Sequence, residues 1–561
     1  MNKVKEALFM LEIMLNNGMV FRDLILLLLI LVCIIAMAVI RKKRKQEGGV
    51  KYIFFIPVIF CLLHVLIFGF NALLLLVYTA AIIMALLFLL RRKKLTYRLL
   101  CTLVIILCTL TFGISCFLRN NISLGYVAAF EHTLSDMESD YILSKHKKID
   151  YDVLHDKLLP LFEEAEEAQD PVAYYIAWLN YCYNFYDGHV SASPAINGEK
   201  VYNEAKERLA GNDYGLSLIT LSGGNTIAIL VDEKGEALAQ GIHTGTVITK
   251  WNGELIENIK EDMEVVYPTT GNFPDKENEE YYKSFFIAGL GGETADITFI
   301  SEDGIEKNIT VQSMGSYTAR LDKALSGFQY EKGIKDNLYW DVQEDGHGYL
   351  YVYEEMWEGD NDNYDGVREI VADMITKMKA EGVKDLVIDL RNNQGGDDIM
   401  GMVIASFFAT KDFYYFGDGR IKNDGTYSII REHNLVANPT WTDIPIAVLV
   451  NSNTVSAGDG LAYNLNKLDQ VTLMGLSGSC SSFQAVGGMT INSSAYILVS
   501  FPIIYQLNED ESIMIDTDEN RNSVIDRDIV IPITDEAANM IYEEEIDYEL
   551  EYAKNYLEGI R

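Results

Sequence analysis

Basic residues are scarce in this chain of 561 residues: 46 Lys and Arg face 81 Asp and Glu, a net charge of −35. The scarcity is uneven. Residues 1–120 hold 15 Lys and Arg against 4 Asp and Glu, a net of +11, whereas the remainder holds 31 against 77, a net of −46. So acidic a body argues against nucleic-acid phosphate as a partner. It favours a well-solvated surface and basic partners. Cysteine is also scarce in the body. Of seven, five (Cys33, Cys61, Cys101, Cys108, Cys116) lie in apolar stretches of the front, where a thiol acts as a small hydrophobe, and only Cys182 and Cys480 lie beyond. There is no CxxC or CxxxH spacing, so no metal or other cofactor is expected. Repeats and low-complexity linkers are absent, and the length asks for three or four domains.

What is present begins with four apolar runs, at 24–40, 53–70, 72–90 and 99–118, whose interiors carry no Asp, Glu, Lys or Arg. Each has about the 17–25 residues needed to span hydrocarbon as a helix, and a cleaved signal peptide does not repeat four times. A lipid bilayer is therefore an expected partner of residues 1–120. Basic clusters follow the first run (41–45, RKKRK) and the third (91–94, RRKK). The positive-inside rule puts both in the cytoplasm, so everything after Arg119 is expected outside it.

The body divides by pattern. Residues 121–205 read as helical: Asp150 is placed to cap a helix to about Glu167, with Val153, Leu154, Leu158, Leu159 and Leu161 as its apolar positions. Asp170-Pro171 opens a second helix, to about Phe185. Residues 206–318 read as short strands between Gly-rich turns. Residues 319–561 alternate apolar strands (347–356, 385–390, 444–450) with helices (366–380 and 457–468) and end in an acidic helix over 539–559. Such alternation means a sheet covered on both faces.

Two distant segments carry chemistry. In FYDGHVSAS (185–193), His189 follows a tight Asp-Gly turn. In IAVLVNSNTVSAGDGLAYNL (446–465), Ser456 stands where a buried strand runs into a helix. A serine there is most often only a helix cap. A nucleophile, however, needs rigid support and nearby amides that stabilise negative charge, and this setting offers both. The Ala457 N–H is one candidate oxyanion donor, and Gly395 or Gly396 of LRNNQGG (390–396) supplies a second. Taken blandly, those glycines form a plain turn.

These segments together resemble the C-terminal processing peptidase and tricorn-core family of serine proteases. Seven stretches occur in the family's order over about 150–555: KKIDYDVL (147–154), YDGHV (186–190), the 206–318 block, GYLYV (348–352), DLVIDLRNNQGG (385–396), VLVNSNTVSAGDGLA (448–462) and DRDIVI (526–531). The resemblance implies a ClpP/crotonase-like α/β protease core with an N-terminal helical subdomain. It makes 206–318 a PDZ-like domain whose carboxylate-binding loop is Tyr214, Gly215, Leu216 and Ser217, although Thr246 stands where that pattern has an acidic residue. Such domains capture extended peptides at a sheet edge. One branch of the family uses a Ser/Lys dyad with the lysine about two dozen residues after the serine. That window here reads LSGSCSSFQ (476–484), and no Lys occurs between Lys467 and Lys554. The other branch places a histidine before the PDZ-like domain, as His189 is placed, but precedes it with a serine where this chain has Gly188. The implied function is a membrane-anchored serine endopeptidase acting on peptides or proteins outside the cytoplasm. His189 would be its general base and Glu519, or else Asp526, the supporting carboxylate. The alternative is a protease-like module that has lost catalysis and binds peptides or senses them. Two lesser features remain. Cys182 and Cys480 are able to pair in an oxidising exterior, although the bridge would have to run to the serine site. DTDENRN (516–522) alternates like a calcium loop but lacks the mid-loop Gly and the closing Glu, so a solvated acidic turn is expected.

Overall fold

The computed structural model describes residues 119–120, 124–195, 198–268, 275–327, 337–357, 364–422, 425–486, 489–492, 497–514, 517, 521–523, 525 and 527–560. The four apolar runs within 24–118, both carboxylate candidates Glu519 and Asp526, and most of 516–522 lie outside them. Among the described residues no helix is long and apolar enough to cross a membrane, and no cluster of His, Cys, Asp and Glu is built to hold a metal ion.

The described chain forms two compact units. The first comprises the described residues up to Tyr181 with Ser191–Tyr202 and Gly487–Ile504; the second comprises Cys182–Val190, Asn203–Val486 and Tyr505–Arg561. In the first unit, Asp150 caps the helix Tyr151–Ala168 by accepting from the Val153 N–H, and Asp170 accepts from the amides of Val172 and Ala173 at the start of Pro171–Tyr183. The buried face of the Tyr151–Ala168 helix is Leu154, Leu158, Phe162 and Ala165. Val153 and Leu161, expected in the core, are instead 60% and 37% exposed. The aromatic cluster decides this: Phe162 stacks on Phe130 at 4.0 Å and meets Trp178 edge-on at 5.0 Å, and those rings draw the 154/158/162/165 stripe inward.

The second unit opens with a β-rich region. Strands Ser217–Thr220 and Thr226–Ile229 pair antiparallel, and Ile248–Trp251, Thr294–Ile300 and Glu306–Gln312 belong to a separate four-stranded sheet. This region is not all-β as the turn-rich sequence suggests. A 12-residue helix, Lys276–Ile287, is capped by Asp275 and buries Tyr282, Phe285 and Phe286 against the Ser217–Thr220 strand side. Its apolar residues fall at i, i+3 and i+4, a helical spacing masked in sequence by the charged run before it.

The core is a six-stranded sheet in the order Ile529–Val530, Val471–Gly475, Ile446–Leu449, Leu386–Asp389, Gly348–Val352, Leu338–Val342; all neighbours are parallel except the last pair. Side chains alternate in layer. Leu350, Ile388, Val448 and Leu473 pack under Asp365–Glu381 and Ala457–Leu465, while Tyr349, Val387, Ala447 and Met474 pack under Tyr548–Ile560. Both faces are thus covered, which explains the near-continuous apolar strands. The expected single terminal helix is two, Asp535–Tyr542 and Tyr548–Ile560. The break positions Asp547 and Glu549 on the buried Arg391 guanidinium, at 2.7 and 3.0 Å, beside Asp389 at 2.6 Å. Three carboxylates around one cation tie the C-terminal helix to the base of the 390–396 loop.

Candidate active site

Asp389 and Leu449 are register partners at the carboxyl ends of adjacent parallel strands, so the loops 390–396 and 450–456 leave the sheet side by side. Ligands of open α/β sheets collect at that edge. Hydrogen bonds lace the two loops: Thr454 Oγ1 donates to Leu390 O at 2.8 Å, Asn392 N–H to Asn451 Oδ1 at 2.9 Å, and Val455 N–H to Asn393 O at 2.8 Å.

Ser456 sits at the turn into the Ala457–Leu465 helix with φ 59° and ψ −122°, a conformation L-residues rarely take, and its side chain makes no capping bond. The cap reading therefore fails. A strained strand-to-helix turn that frees the hydroxyl is the geometry of a nucleophile elbow. The Ser456 N–H donates to Ser482 Oγ at 3.0 Å, and Ser482 Oγ donates to Asp459 Oδ2 at 2.8 Å. Asp459 is fully buried and also accepts from the amides of Ser481 and Ser482, at 2.9 Å each; burial still raises its carboxyl. With the Ser456 amide committed, the Ala457 N–H, which has no hydrogen-bond partner among the described residues, is the donor left beside Oγ.

His189 Nε2 lies 2.9 Å from Ser456 Oγ, across 267 residues of chain. Its loop is set by Asp187, fully buried, which accepts the His189 backbone N–H at 2.9 Å and stands 4.0 Å from Nδ1. Nδ1 has no hydrogen-bond partner among the described residues. Gly188 fits because nothing larger does: a Cβ there would meet Cys480 Sγ at 2.7 Å and Ser482 Cβ at 2.8 Å. The 476–484 segment, where the sequence has no lysine, thus packs directly against the residue before the histidine.

Residues 348–509 match the family described as Peptidase family S41. The chain is accordingly a serine-type peptidase. Among solved structures, mature CPAF aligns over 78% of this chain and 96% of its own at 11% identity and a TM-score of 0.50, a likeness of fold. The photosystem II D1 C-terminal processing protease aligns over 75% of this chain and 98% of its own (15% identity, TM-score 0.32). The tricorn protease aligns over 78% of this chain and 37% of its own (13% identity, TM-score 0.34). No curated protein sequence gives a significant match.

Within the matched segment, the two glycines differ. The Gly395 N–H is taken by Asn393 Oδ1 at 2.7 Å, so it is not an oxyanion donor; its place is beside the nucleophile, where a Cβ would come within 2.7 Å of Ser456 Cβ. The Gly396 N–H has no partner among the described residues. Glu355 brackets both, donating its N–H to Gly395 O at 2.7 Å and accepting from Asp397 N–H at 2.6 Å. Burial pushes the Glu355 carboxyl well above its usual range, with the Asp398 charge adding to it. Neither Glu355 Oε2 nor the Tyr415 hydroxyl has a partner among the described residues. The folded protein holds this proton, whereas the unfolded chain releases it above about pH 4.3. The native state then binds more protons than the unfolded one, so stability is full at low pH. It falls as pH rises past that point, by up to about 1.4 kcal/mol per pH unit until the folded pKa is reached. The thermal midpoint of Glu355→Gln is expected to gain on the parent as the pH goes from about 5 to about 8. Parallel curves would contradict a buried protonated carboxyl.

The sequence-predicted peptide loop is enclosed. Tyr214, Gly215, Leu216 and Ser217 are all buried. The Tyr214 hydroxyl donates to Gly292 O at 2.9 Å, Gly215 N–H to Asp213 Oδ1 at 2.8 Å, and Ser217 Oγ shares a 2.5 Å bond with the Tyr317 hydroxyl. The adjacent strand edge is also used, since Thr220 N–H donates to Ser284 Oγ of the Lys276–Ile287 helix. Cys182 and Cys480 are both buried free thiols, which corrects the possible disulfide; burial raises both thiols, Cys480 well above its usual range. Sequence reading missed Asp187, Asp459 and Ser482. The first two carried a signal: Asp187 lies inside the YDGH turn, and Asp459 follows Ser456 by three residues, within one helical turn.

Proposed function

We propose that the protein is a membrane-anchored serine endopeptidase that cleaves peptides or proteins outside the cytoplasm, with Ser456 as nucleophile and His189 as general base. The observation that carries this reading is the 2.9 Å separation of His189 Nε2 and Ser456 Oγ, close enough for direct proton transfer. It favours catalysis over a protease-like binding module. In this scheme His189 takes the Ser456 proton as Oγ attacks the scissile carbonyl, and the free amides of Ala457 and Gly396 receive the oxyanion. The histidine then protonates the leaving amine, and water attacking the acyl-enzyme returns the serine. No metal or organic cofactor enters. Anchoring rests on the four apolar runs before residue 119 and orientation on the basic clusters 41–45 and 91–94. The 206–318 region acts as the PDZ-like element that captures or gates substrate.

The test is covalent labelling of the full-length chain by a fluorophosphonate probe. The parent labels, and Ser456→Ala and His189→Ala each abolish it. Labelling that survives His189→Ala would mean that a different base serves Ser456, and a folded parent that never labels would favour the binding module.

A further inference from the structure

The histidine loop is held by a chain of side chains that the catalytic scheme does not use. Tyr186, three residues before His189, has φ 46°, a left-handed backbone that a bulky residue keeps only where its surroundings over-determine it. The Arg521 guanidinium carbon lies 3.9 Å from the Tyr186 ring centroid, a stacked cation–π contact. Arg521 Nη1 is 2.8 Å from Glu279 Oε2, and the Tyr183 hydroxyl donates to Glu279 Oε1 at 2.5 Å. The Tyr183 and Tyr186 rings meet edge-on at 5.6 Å, which closes the ring of contacts. The pair is largely out of water, with side chains 18% and 5% exposed for Arg521 and Glu279, so salt and solvent do little to loosen it.

Glu279 belongs to the Lys276–Ile287 helix, and its neighbour Asn278 grips the other side of the site. Asn278 Oδ1 accepts from Gly478 N–H at 2.8 Å, and Nδ2 donates to Ser479 O at 2.9 Å. Immediately beyond come Cys480 and Ser482, the residues that pack on Gly188 and hold the Ser456 amide.

We propose that Arg521, fixed by Glu279, is a positioning residue: by stacking on Tyr186 it sets the reach of His189 to Ser456. The inference rests on the Ser456/His189 reading. Arg521 touches neither reacting group; it acts through a loop whose backbone is held in a conformation it would otherwise leave. A shift of about 1 Å in the base is enough to cost up to about a hundredfold in rate.

The experiment measures the second-order rate of fluorophosphonate labelling of the full-length chain from about pH 5 to about pH 9, with the thermal midpoint of each variant. Two variants release Tyr186. Tyr186→Leu removes the ring and leaves the Glu279–Arg521 pair intact. Glu279→Gln with Arg521→Met removes the cation without stranding a buried charge. Both are expected to label about ten- to a hundredfold more slowly. Their remaining rate should climb with hydroxide rather than level off as a histidine loses its proton. Arg521→Lys, which keeps a cation over the ring and the pair with Glu279, should recover most of the lost rate. The proposal is overturned if either Tyr186→Leu or the double variant labels at the parent's rate with the parent's pH profile. It is also overturned if the losses merely follow falling thermal midpoints and Arg521→Lys shares them in full. A parent that does not label, or labels as well as His189→Ala, removes the Ser456/His189 reading instead.

Discussion

Replacing His189 by alanine is expected to lower kcat for a cleavable peptide on the order of a millionfold, and Ser456→Ala by about as much. In the proposed scheme the two groups act as one device: without the imidazole 2.9 Å away, the hydroxyl would have no acceptor for its proton as the new bond forms. The double variant should therefore be no slower than either single one. Turnover in all three should persist at roughly 10³–10⁴ over the uncatalysed rate, because in that scheme the free amides of Ala457 and Gly396 would still meet the oxyanion. Steady-state hydrolysis of a fluorogenic peptide, compared across the parent, both single variants and the double, checks this. Losses that multiply would mean that Ser456 and His189 work independently, and a loss of only a few fold in His189→Ala would remove the base from the scheme.

Gly395→Ala is expected to damage the same site from the other side. At φ 85°, a Cβ on Gly395 would lie 2.7 Å from Ser456 Cβ, 2.7 Å from Val455 O and 2.8 Å from Ala457 N. Two of these are backbone atoms of the nucleophile turn, so the added methyl cannot be absorbed by a side-chain rotation. It must push Ser456 and the Ala457 amide away from each other's working positions. The expected losses are about 10²–10³ in kcat, the scale of a lost oxyanion donor, and about 1–3 kcal/mol of stability from overpacking. Gly253→Ala is the control: it has nearly the same φ, 84°, and no described atom within 4 Å of the added Cβ. It isolates backbone strain, and its activity should match the parent. Equal kinetics for Gly395→Ala and the parent would show that the 390–396 loop does not support the nucleophile.

Much of this site is legible before any fold is known, because its chemistry is carried by short contiguous stretches. The strand-to-helix block around Ser456, the Asp-Gly turn before His189 and the double glycine of LRNNQGG are each local signals with a local physical cause. The signals fail where the outcome depends on how a loop folds or on a partner from elsewhere in the chain. Gly395 and Gly396 look equivalent in sequence, yet Asn393 takes the Gly395 amide and leaves that of Gly396 free. Tyr214 to Ser217 resemble a carboxylate-binding loop in sequence; in the fold they are buried, with Tyr317 and the Lys276–Ile287 helix packed beside them. That helix went unseen because its charged first turns hide a buried face that only the packed strand reveals.

Composition and pattern by themselves determine the division of charge between front and body, the four apolar runs and the alternation that builds a covered parallel sheet, and they single out Ser456 and His189 as candidates. Each is a property of residues near one another in sequence: hydropathy over one span, or backbone geometry over one turn. Tertiary structure alone decides the distance between Ser456 and His189, the close packing of Gly188 on Cys480 and Ser482, and the grip of Arg521 and Glu279 on the histidine loop. These depend on chain segments separated by scores to hundreds of residues. Their approach is set by how the whole core excludes water, and no local preference encodes it.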